Sequence, residues 1–200
     1  MCANISHSYE YGYTAGKLAA DWLNTNCSAS QTVACALLTK PQSLAVIDRA
    51  NSIIEGLREN CTFAQIVATK PYSDQASARE MTEQMMREYP EIRCIVGVSD
   101  MSILGAYDAL EAMNLLNEEM CLVGIDASAP VLKKIQEGTV IRGSVSQDTK
   151  GFAEVTIHAA IAAIQGNPLP ESSIKIEAVT MENVAAYLQA EAASHSTPAS

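Results

Sequence analysis

Residues 94–100 of this chain read Cys-Ile-Val-Gly-Val-Ser-Asp, an apolar run that ends abruptly on two polar residues. Two later stretches repeat the pattern: Leu-Val-Gly-Ile-Asp at 122–126 and Gly-Ser-Val-Ser-Gln-Asp at 143–148. Strands that are apolar along their whole length are typical of parallel sheets covered by helices on both faces. Open parallel sheets bind ligands beyond the carboxyl ends of their strands. Polar residues at three successive strand ends therefore predict a site for a small polar ligand.

Apolar runs of this kind alternate with segments of helical pattern along the middle of the chain. The predicted strands are Val33–Leu38, Phe63–Ala68, Cys94–Val98, Cys121–Ile125 and Arg142–Gln147. The predicted helices are Tyr13–Leu23, Leu44–Glu59, Asp74–Glu88, Met101–Met113, Pro130–Glu137 and Thr149–Gln165. Strands that alternate with helices of this length form βαβ units with right-handed crossovers. The sequence therefore predicts an α/β fold, a doubly wound parallel sheet in three layers.

Residues at the ends of the predicted helices agree with this reading. Asp74 and Asp100 stand where side chains cap the first turn of a helix. Pro130 suits a first helical turn, and Gly138 and Gly166 suit the ends of helices. Asp100 thus has two compatible roles, since a capping carboxylate can also line the ligand cleft.

Composition and charge exclude several classes of partner. The 200 residues are 48% hydrophobic, and their net charge is −10 at pH 7. DNA, RNA and anionic membranes select basic surfaces, so we expect no nucleic-acid partner. No apolar run approaches the length of about 20 residues that spans a bilayer. The first residues lack a basic segment followed by an apolar one, so we expect no signal peptide. The chain is then either cytoplasmic or a piece of an exported protein.

The six cysteines show no metal-binding spacing, because none forms Cys-x-x-Cys and none pairs with a histidine at zinc-finger distance. Cys35, Cys94 and Cys121 lie in or beside predicted strands, so we expect them to be small buried hydrophobic residues. Free thiols favour a reducing compartment. We therefore predict no metal site.

Motifs for catalysis and for nucleotide binding are incomplete. Residues 12–18 resemble a phosphate loop that is one residue short, with Leu18 in place of the Ser or Thr that binds magnesium. Small residues for close helix packing explain this stretch better. Residues 97–101 resemble a nucleophile elbow, but Met101 replaces its second glycine. Asp100 and Asp126 could form a carboxylate pair for acid–base chemistry. We predict no catalytic residue and no cofactor.

The stretches at 90–106, 122–126 and 143–148 together resemble the carbohydrate-binding proteins of ABC importers, in the family that includes ribose- and galactose-binding proteins. The segment 183–188 resembles the usual closing segment of these proteins. The resemblance implies a lobe of the type I periplasmic binding protein fold, with strand order 2-1-3-4-5. It also implies a small sugar, a pentose or hexose, as the ligand.

Roles for individual residues follow from the same resemblance. Arg49 resembles an arginine that hydrogen-bonds sugar oxygens, and Asp126 and Gln147 match a carboxylate and an amide that bind sugar hydroxyls. Charge-assisted hydrogen bonds are the stronger ones, which suits these residue types. Ser99 stands where many members of the family carry Asn, and Tyr72 is a candidate aromatic platform. The predicted ligand-binding residues are Arg49, Tyr72, Ser99, Asp100, Asp126 and Gln147.

Length is the main departure from the family, whose members have two lobes. The resemblance divides the chain into residues 1–11, a remnant of a first lobe; 12–147, the ligand-binding C-terminal lobe; 148–176, a helix and crossover that belong to the missing first lobe; 177–190, a return to the C-terminal lobe; and 191–200, a disordered tail. The apolar residues of the Thr149–Gln165 helix would then lack a partner. We expect a homodimer to cover them, unless the helix folds back onto its own sheet. They are Phe152, Val155, Ile157, Ile161 and Ile164.

Three functions compete at this point. The first is the sugar-binding component of an ABC importer, present as a C-terminal-lobe fragment, with a membrane permease as partner and an extracytoplasmic location in the full-length protein. The second is the effector-binding domain of a lactose-repressor-type regulator, which shares the fold. The third is a small doubly wound enzyme, for which no convincing nucleophile or base is present. The closing segment at 183–188 and the Ser-Gln-Asp at 146–148 favour the importer, a protein that is not an enzyme.

Overall fold

A computed structural model describes residues 6–147, 149–167 and 175–195. These residues contain helices and strands in the alternation that the sequence predicts. The helices are α1 (Ser6–Asn26), α2 (Leu44–Asn60), α3 (Gln75–Glu88), α4 (Asp100–Ala112), α5 (Ala129–Gln136), α6 (Thr149–Gln165) and α7 (Val184–His195). The strands are β1 (Val33–Thr39), β2 (Ala64–Pro71), β3 (Ile92–Gly97), β4 (Cys121–Asp126), β5 (Ile141–Gln147) and β6 (Ile176–Val179).

One sheet, in the order β2-β1-β3-β4-β5-β6, forms the centre of the molecule. Neighbouring strands from β2 to β5 run parallel, and β6 pairs antiparallel with β5. The predicted order 2-1-3-4-5 and the three-layer α/β class are confirmed. Because the five parallel strands share one direction, their carboxyl ends meet at one edge, which we call the ligand edge. The antiparallel β6 was not predicted, since four residues carry too little pattern.

The ends of the chain differ from the predicted element bounds. α1 begins at Ser6, seven residues before its predicted start, and it continues through the predicted division between residues 11 and 12. α7 continues to His195, into the predicted tail, and residues 196–200 lie outside the described residues. The predicted crossover at 148–176 is described only in part. The proposed division of the chain stays a prediction.

Close packing between α1 and α2 explains the glycines of the phosphate-loop-like stretch. A Cβ atom at Gly12 would lie 2.2 Å from the carbonyl oxygen of Arg49, and one at Gly16 would lie 2.2 Å from that of Ile53. Both distances are far below van der Waals contact, so only glycine allows the two helix backbones to approach this closely. Ala15 and Ala19 of α1 are fully buried beside this seam. The stretch is a packing surface within a helix.

In helix α6, by contrast, large apolar side chains are exposed. Ile157 is 58% exposed, Ile161 45% and Ile164 87%. Val155 is half-buried, and the side chain of Phe152 lies outside the described residues. The expectation of uncovered apolar surface on this helix is therefore confirmed for its three isoleucines.

Three cysteines form a row across the middle of the sheet. Cys35 of β1 is in register with Cys94 of β3, which is in register with Cys121 of β4. All three are fully buried, and their thiols are free. The hydrogen bond with Cys121, together with burial, raises the pKa of the Cys94 thiol well above its ordinary value, although the hydrogen bond with Cys35 acts in the opposite direction. Protonated thiols behave as small hydrophobic groups, as predicted.

Candidate functional site

The ligand edge brings together side chains from five different segments. Arg49 comes from α2, Tyr72 follows β2, Ser99 precedes α4, and Asp126 and Gln147 are the last residues of β4 and β5. The sequence separates these residues by up to 98 positions, and the parallel sheet collects them because it aligns the strand ends. The structure thus gathers the predicted site residues in one place. Their part in ligand binding stays a prediction.

Asp126 lies at the centre of the group. The Gln147 Nε2 donates to its Oδ1 at 2.5 Å, and the backbone N–H of Asp100 donates to its Oδ2 at 3.4 Å. Desolvation and the neighbouring Asp100 carboxylate raise the pKa of Asp126 to about 6, against the lowering effect of Arg49 and of these hydrogen bonds. The residue nevertheless keeps an exposed surface, so a ligand can reach it. Asp126 is an accessible acceptor whose neighbours already fix its orientation.

Arg49 extends from α2 towards the same point. Its Nη1 donates to the carbonyl oxygen of Val98 at 3.0 Å, and its guanidinium lies 5.6 Å from the centre of the Tyr11 ring. Desolvation lowers the pKa of Arg49, whereas Asp126 acts in the opposite direction. Its buried Nε has no hydrogen-bond partner among the described residues. An unsatisfied buried donor costs about 1–3 kcal/mol, so the local fold holds this cation in place against its own preference for water.

Tyr72 and Ser99 form a hydroxyl pair beside Arg49 and Asp126. The Tyr72 hydroxyl and the Ser99 Oγ are 2.7 Å apart. The Tyr72 ring is only 5% exposed, and burial raises the pKa of its hydroxyl. Its face therefore offers little open surface in this structure, and the proposed role as an aromatic platform stays untested. Ser99 is half-buried, with its hydroxyl turned towards Tyr72.

Asp100 does not cap α4, which corrects the role expected for it there. Ser99 is the N-cap residue, and Asp100 is the first residue of the helix. The Asp100 side chain is 2% exposed and turns inward. Its Oδ2 accepts from the N–H and the hydroxyl of Ser128 at 2.7 and 2.8 Å, and its Oδ1 accepts from Ser144 Oγ at 2.6 Å. These donors satisfy the carboxylate better than free helix N–H groups would, which explains the inward orientation. By contrast, the predicted cap at Asp74 is confirmed, since it forms a capping box with Ser77.

Ser128 and Ser144 are site residues that the sequence reasoning did not identify. Ser144 is fully buried in β5, and Ser146 is 8% exposed in the same strand. Two serines that are both buried in one strand of the sheet are a usable signal, because buried hydroxyls need partners. The partner itself, Asp100, lies 44 positions away and only the fold reveals it.

The described residues contain no group of three or more His, Cys, Asp or Glu side chains that could hold a metal ion. Within the same residues, no helix has the length and apolarity needed to cross a bilayer. The side chains at the ligand edge offer a carboxylate, an amide, a guanidinium and two hydroxyls for hydrogen bonding. This set matches a neutral polar ligand with several hydroxyl groups.

Comparisons with known proteins agree on the fold. One similar structure is a Mycobacterium smegmatis protein in complex with beta-D-fucofuranose, with a TM-score of 0.80 and 22% identity. A second is a periplasmic solute-binding protein of an ABC transporter from Actinobacillus succinogenes with bound D-allose, with a TM-score of 0.79 and 19% identity. A third is an ABC transporter solute-binding protein from Bacillus halodurans with bound myo-inositol, with a TM-score of 0.78 and 26% identity. A search of curated protein sequences gave no match.

The alignments with these structures include most of this chain but only part of each solved chain. The alignments cover 94%, 90% and 90% of this chain, but only 61%, 62% and 60% of the three solved chains. The chain thus spans about 60% of their length. The profile of the periplasmic binding protein domain matches residues 4–168, most of the sequence. The chain therefore belongs to the periplasmic binding protein family.

Proposed function

We propose that this chain binds a small sugar at the ligand edge, as part of the solute-binding component of an ABC importer. The observation that carries the proposal is the convergence of Arg49, Asp126 and Gln147 at the carboxyl ends of one parallel sheet. A carboxylate accepts from two adjacent hydroxyls, while an amide and a guanidinium donate to ring and hydroxyl oxygens. Adjacent hydroxyl groups are the feature that a pentose, a hexose and a cyclitol share.

The relatives support this choice of ligand class. Their structures hold a fucofuranose, an allose and an inositol, all of which are neutral and rich in hydroxyls. The Asp126 carboxylate near Arg49 balances the charge of its guanidinium, so Arg49 gives little preference for a sugar acid or a sugar phosphate. A membrane permease and an extracytoplasmic location follow if the chain works within a full-length importer protein.

We expect weak binding from these 200 residues alone. A ligand site normally buries most of the ligand surface, and the ligand edge contacts one side of a sugar only. Hydroxyls left in water gain little from hydrogen bonding, because protein contacts there replace equivalent contacts with water. Tight binding requires further residues to cover the other side of the ligand.

The exposed isoleucines of α6 support a second, structural part of the proposal. Soluble monomers rarely expose large contiguous apolar patches, so a second copy of the chain is a suitable cover for Ile157, Ile161 and Ile164. In a twofold dimer, this face of α6 in one copy would contact the same face in the other copy. The sequence offered an alternative, with α6 folded back onto its own sheet, but the exposure of these three side chains argues against it.

An NMR titration of the ¹⁵N-labelled chain tests the proposed ligand. We expect D-allose, L-arabinose and myo-inositol to shift backbone signals near Asp126 and Gln147, with dissociation constants in the millimolar range. Glucuronate and glucose 6-phosphate, which are negatively charged, should bind less well. Asp126→Ala should abolish the shifts, whereas Asp108→Ala, a change further along α4 that removes only a hydrogen bond from Gln75, should keep them. Shifts of equal size in the Asp126→Ala protein would contradict the proposal.

A further inference from the structure

The turn that follows β4 has an unusual backbone. Asp126 has φ of 132° and Ala127 has φ of 49°, both in the region that side chains other than glycine rarely adopt. Two consecutive residues of this kind persist only where the surrounding structure holds them. Asp126 is the central acceptor of the ligand edge, so whatever holds this turn also sets the direction of its carboxylate.

Asp100 is linked to both backbone amides that follow Asp126, directly to that of Ser128 and through Ser144 to that of Ala127. Its Oδ2 accepts directly from the N–H of Ser128 at 2.7 Å. Its Oδ1 accepts from Ser144 Oγ at 2.6 Å, and Ser144 Oγ in turn accepts from the N–H of Ala127 at 3.0 Å. The backbone N–H of Asp100 also donates to Asp126 Oδ2 at 3.4 Å. One residue of α4 thus connects to each of the residues 126, 127 and 128.

Burial and packing leave Asp100 little surface for direct contact with a ligand. The residue is 2% exposed. Its Oδ1 also lies so close to β4 that a Cβ atom at Gly124 would come within 2.2 Å of it. The carboxylate is therefore packed against Gly124, in the strand that ends in Asp126. A sugar at the ligand edge would meet Asp126 first.

The number of donors explains why an aspartate suits this position. An ionised carboxylate only accepts, and here it receives three hydrogen bonds from Ser128 and Ser144. An asparagine would turn an N–H₂ group towards one of these donors. Burial raises the pKa of Asp100, while the three donors act in the opposite direction. A buried carboxylate is retained only where such hydrogen bonds compensate for lost hydration.

We propose that Asp100 is a positioning residue: through Ser128 and Ser144 it holds the 126–128 turn in the conformation that presents Asp126 to Gln147 and to the ligand. The proposal rests on the proposed function only in that Asp126 is taken to bind the sugar. The geometry itself can be tested with no ligand present.

The decisive variant is Ser144→Ala, because it breaks the connection to Ala127 and leaves the charge of Asp100 in place. We expect amide hydrogen exchange at Ala127 to accelerate at least tenfold. The Asp126 carboxylate should then move into water, so its pKa, measured by ¹³C NMR, should fall from about 6 towards the ordinary value of 3.8. Asp100→Asn should also accelerate exchange at Ser128. Asp108→Asn, the same change elsewhere on α4, is the matched control and should leave both readouts unchanged.

Each outcome decides the proposal. Faster exchange at Ala127 together with a lower pKa of Asp126 supports it. An Ala127 amide that exchanges at the wild-type rate in Ser144→Ala, or an Asp126 pKa that stays at its wild-type value, overturns it. If Asp100→Asn fails to fold, the small change at Ser144 still gives the answer. These measurements use no sugar, so they can be interpreted even if the chain does not bind the proposed ligand. Likewise, the sugar titration can be interpreted even if Asp100 does not hold the turn.

Discussion

Helices α1 and α6 both contain alanines and larger apolar residues, but these residues have opposite surroundings. In α1, Ala15, Ala19 and Leu23 are fully buried, and glycines bring its backbone against α2. In α6, Ile157, Ile161 and Ile164 face solvent. Apolar composition therefore shows that a helix needs cover, and only the tertiary structure shows whether the chain provides it. Here the described residues provide it for α1 and not for α6.

The largest effect is expected at the seam between α1 and α2. Leucine at Gly16 would place its Cβ 2.2 Å from the Ile53 carbonyl oxygen and 2.7 Å from the Leu57 nitrogen, both backbone atoms of α2. The helices must separate, so Gly16→Leu should cost about 3 kcal/mol or more of unfolding free energy. Urea denaturation measures this. Lys17→Leu, one position along on the exposed side, should be nearly neutral. Equal stability of the two variants would show that α1 does not pack closely against α2 in the core.

A matched pair of truncations compares the two helices directly. Leu23 of α1 is fully buried, so Leu23→Ala should cost about 3 kcal/mol through lost burial and a cavity. Ile164 of α6 is 87% exposed, so Ile164→Ala should change stability by less than about 0.5 kcal/mol. Thermal unfolding at a low protein concentration, where chains do not pair, checks both values. A large loss at Ile164 would mean that α6 is covered in the monomer.

The ligand edge is intermediate between α1 and α6 in how far the chain covers its side chains. Asp126 is exposed, yet polar groups surround it. Its pKa is raised from 3.8 to about 6, so the native state binds more protons than the unfolded state between these pH values. The contribution of Asp126 to stability should therefore fall as pH rises from about 4 to 6, by about 1 kcal/mol once screening by water is allowed for. Asp126→Asn should lack this fall, and Asp108→Asn should keep it. Urea denaturation at several pH values gives the comparison.

The smallest effect on stability, with a clear effect on association, is expected on α6. Ile157→Lys combined with Ile161→Lys adds charge to an exposed face, so the free energy of unfolding should change by less than about 0.5 kcal/mol. If a second copy covers this face, sedimentation should show dimers of the wild-type chain and monomers of the variant. A wild-type chain that stays monomeric at high concentration would contradict the proposed homodimer.

Sequence reasoning located strand ends well and side-chain orientations poorly. The positions of Asp126 and Gln147 follow from apolar runs that stop on polar residues, because in a parallel sheet such ends meet. The role of Asp100 did not follow, since a capping carboxylate and an inward-facing one have the same local sequence. The choice between them depends on Ser144, a partner from another strand. For the same reason, glycine spacing in α1 indicated close packing but did not identify α2 as the neighbour.

The central claim is that Arg49, Asp126 and Gln147 together contact a sugar at the ligand edge. NMR of the Arg49 guanidinium and the Gln147 side-chain amide during titration with D-allose tests it most directly. We predict that both signals shift along one binding curve with a millimolar dissociation constant, and that Asp126→Ala removes both shifts. Side-chain signals that stay fixed while allose shifts residues at the opposite, amino-terminal edge of the sheet would contradict the account.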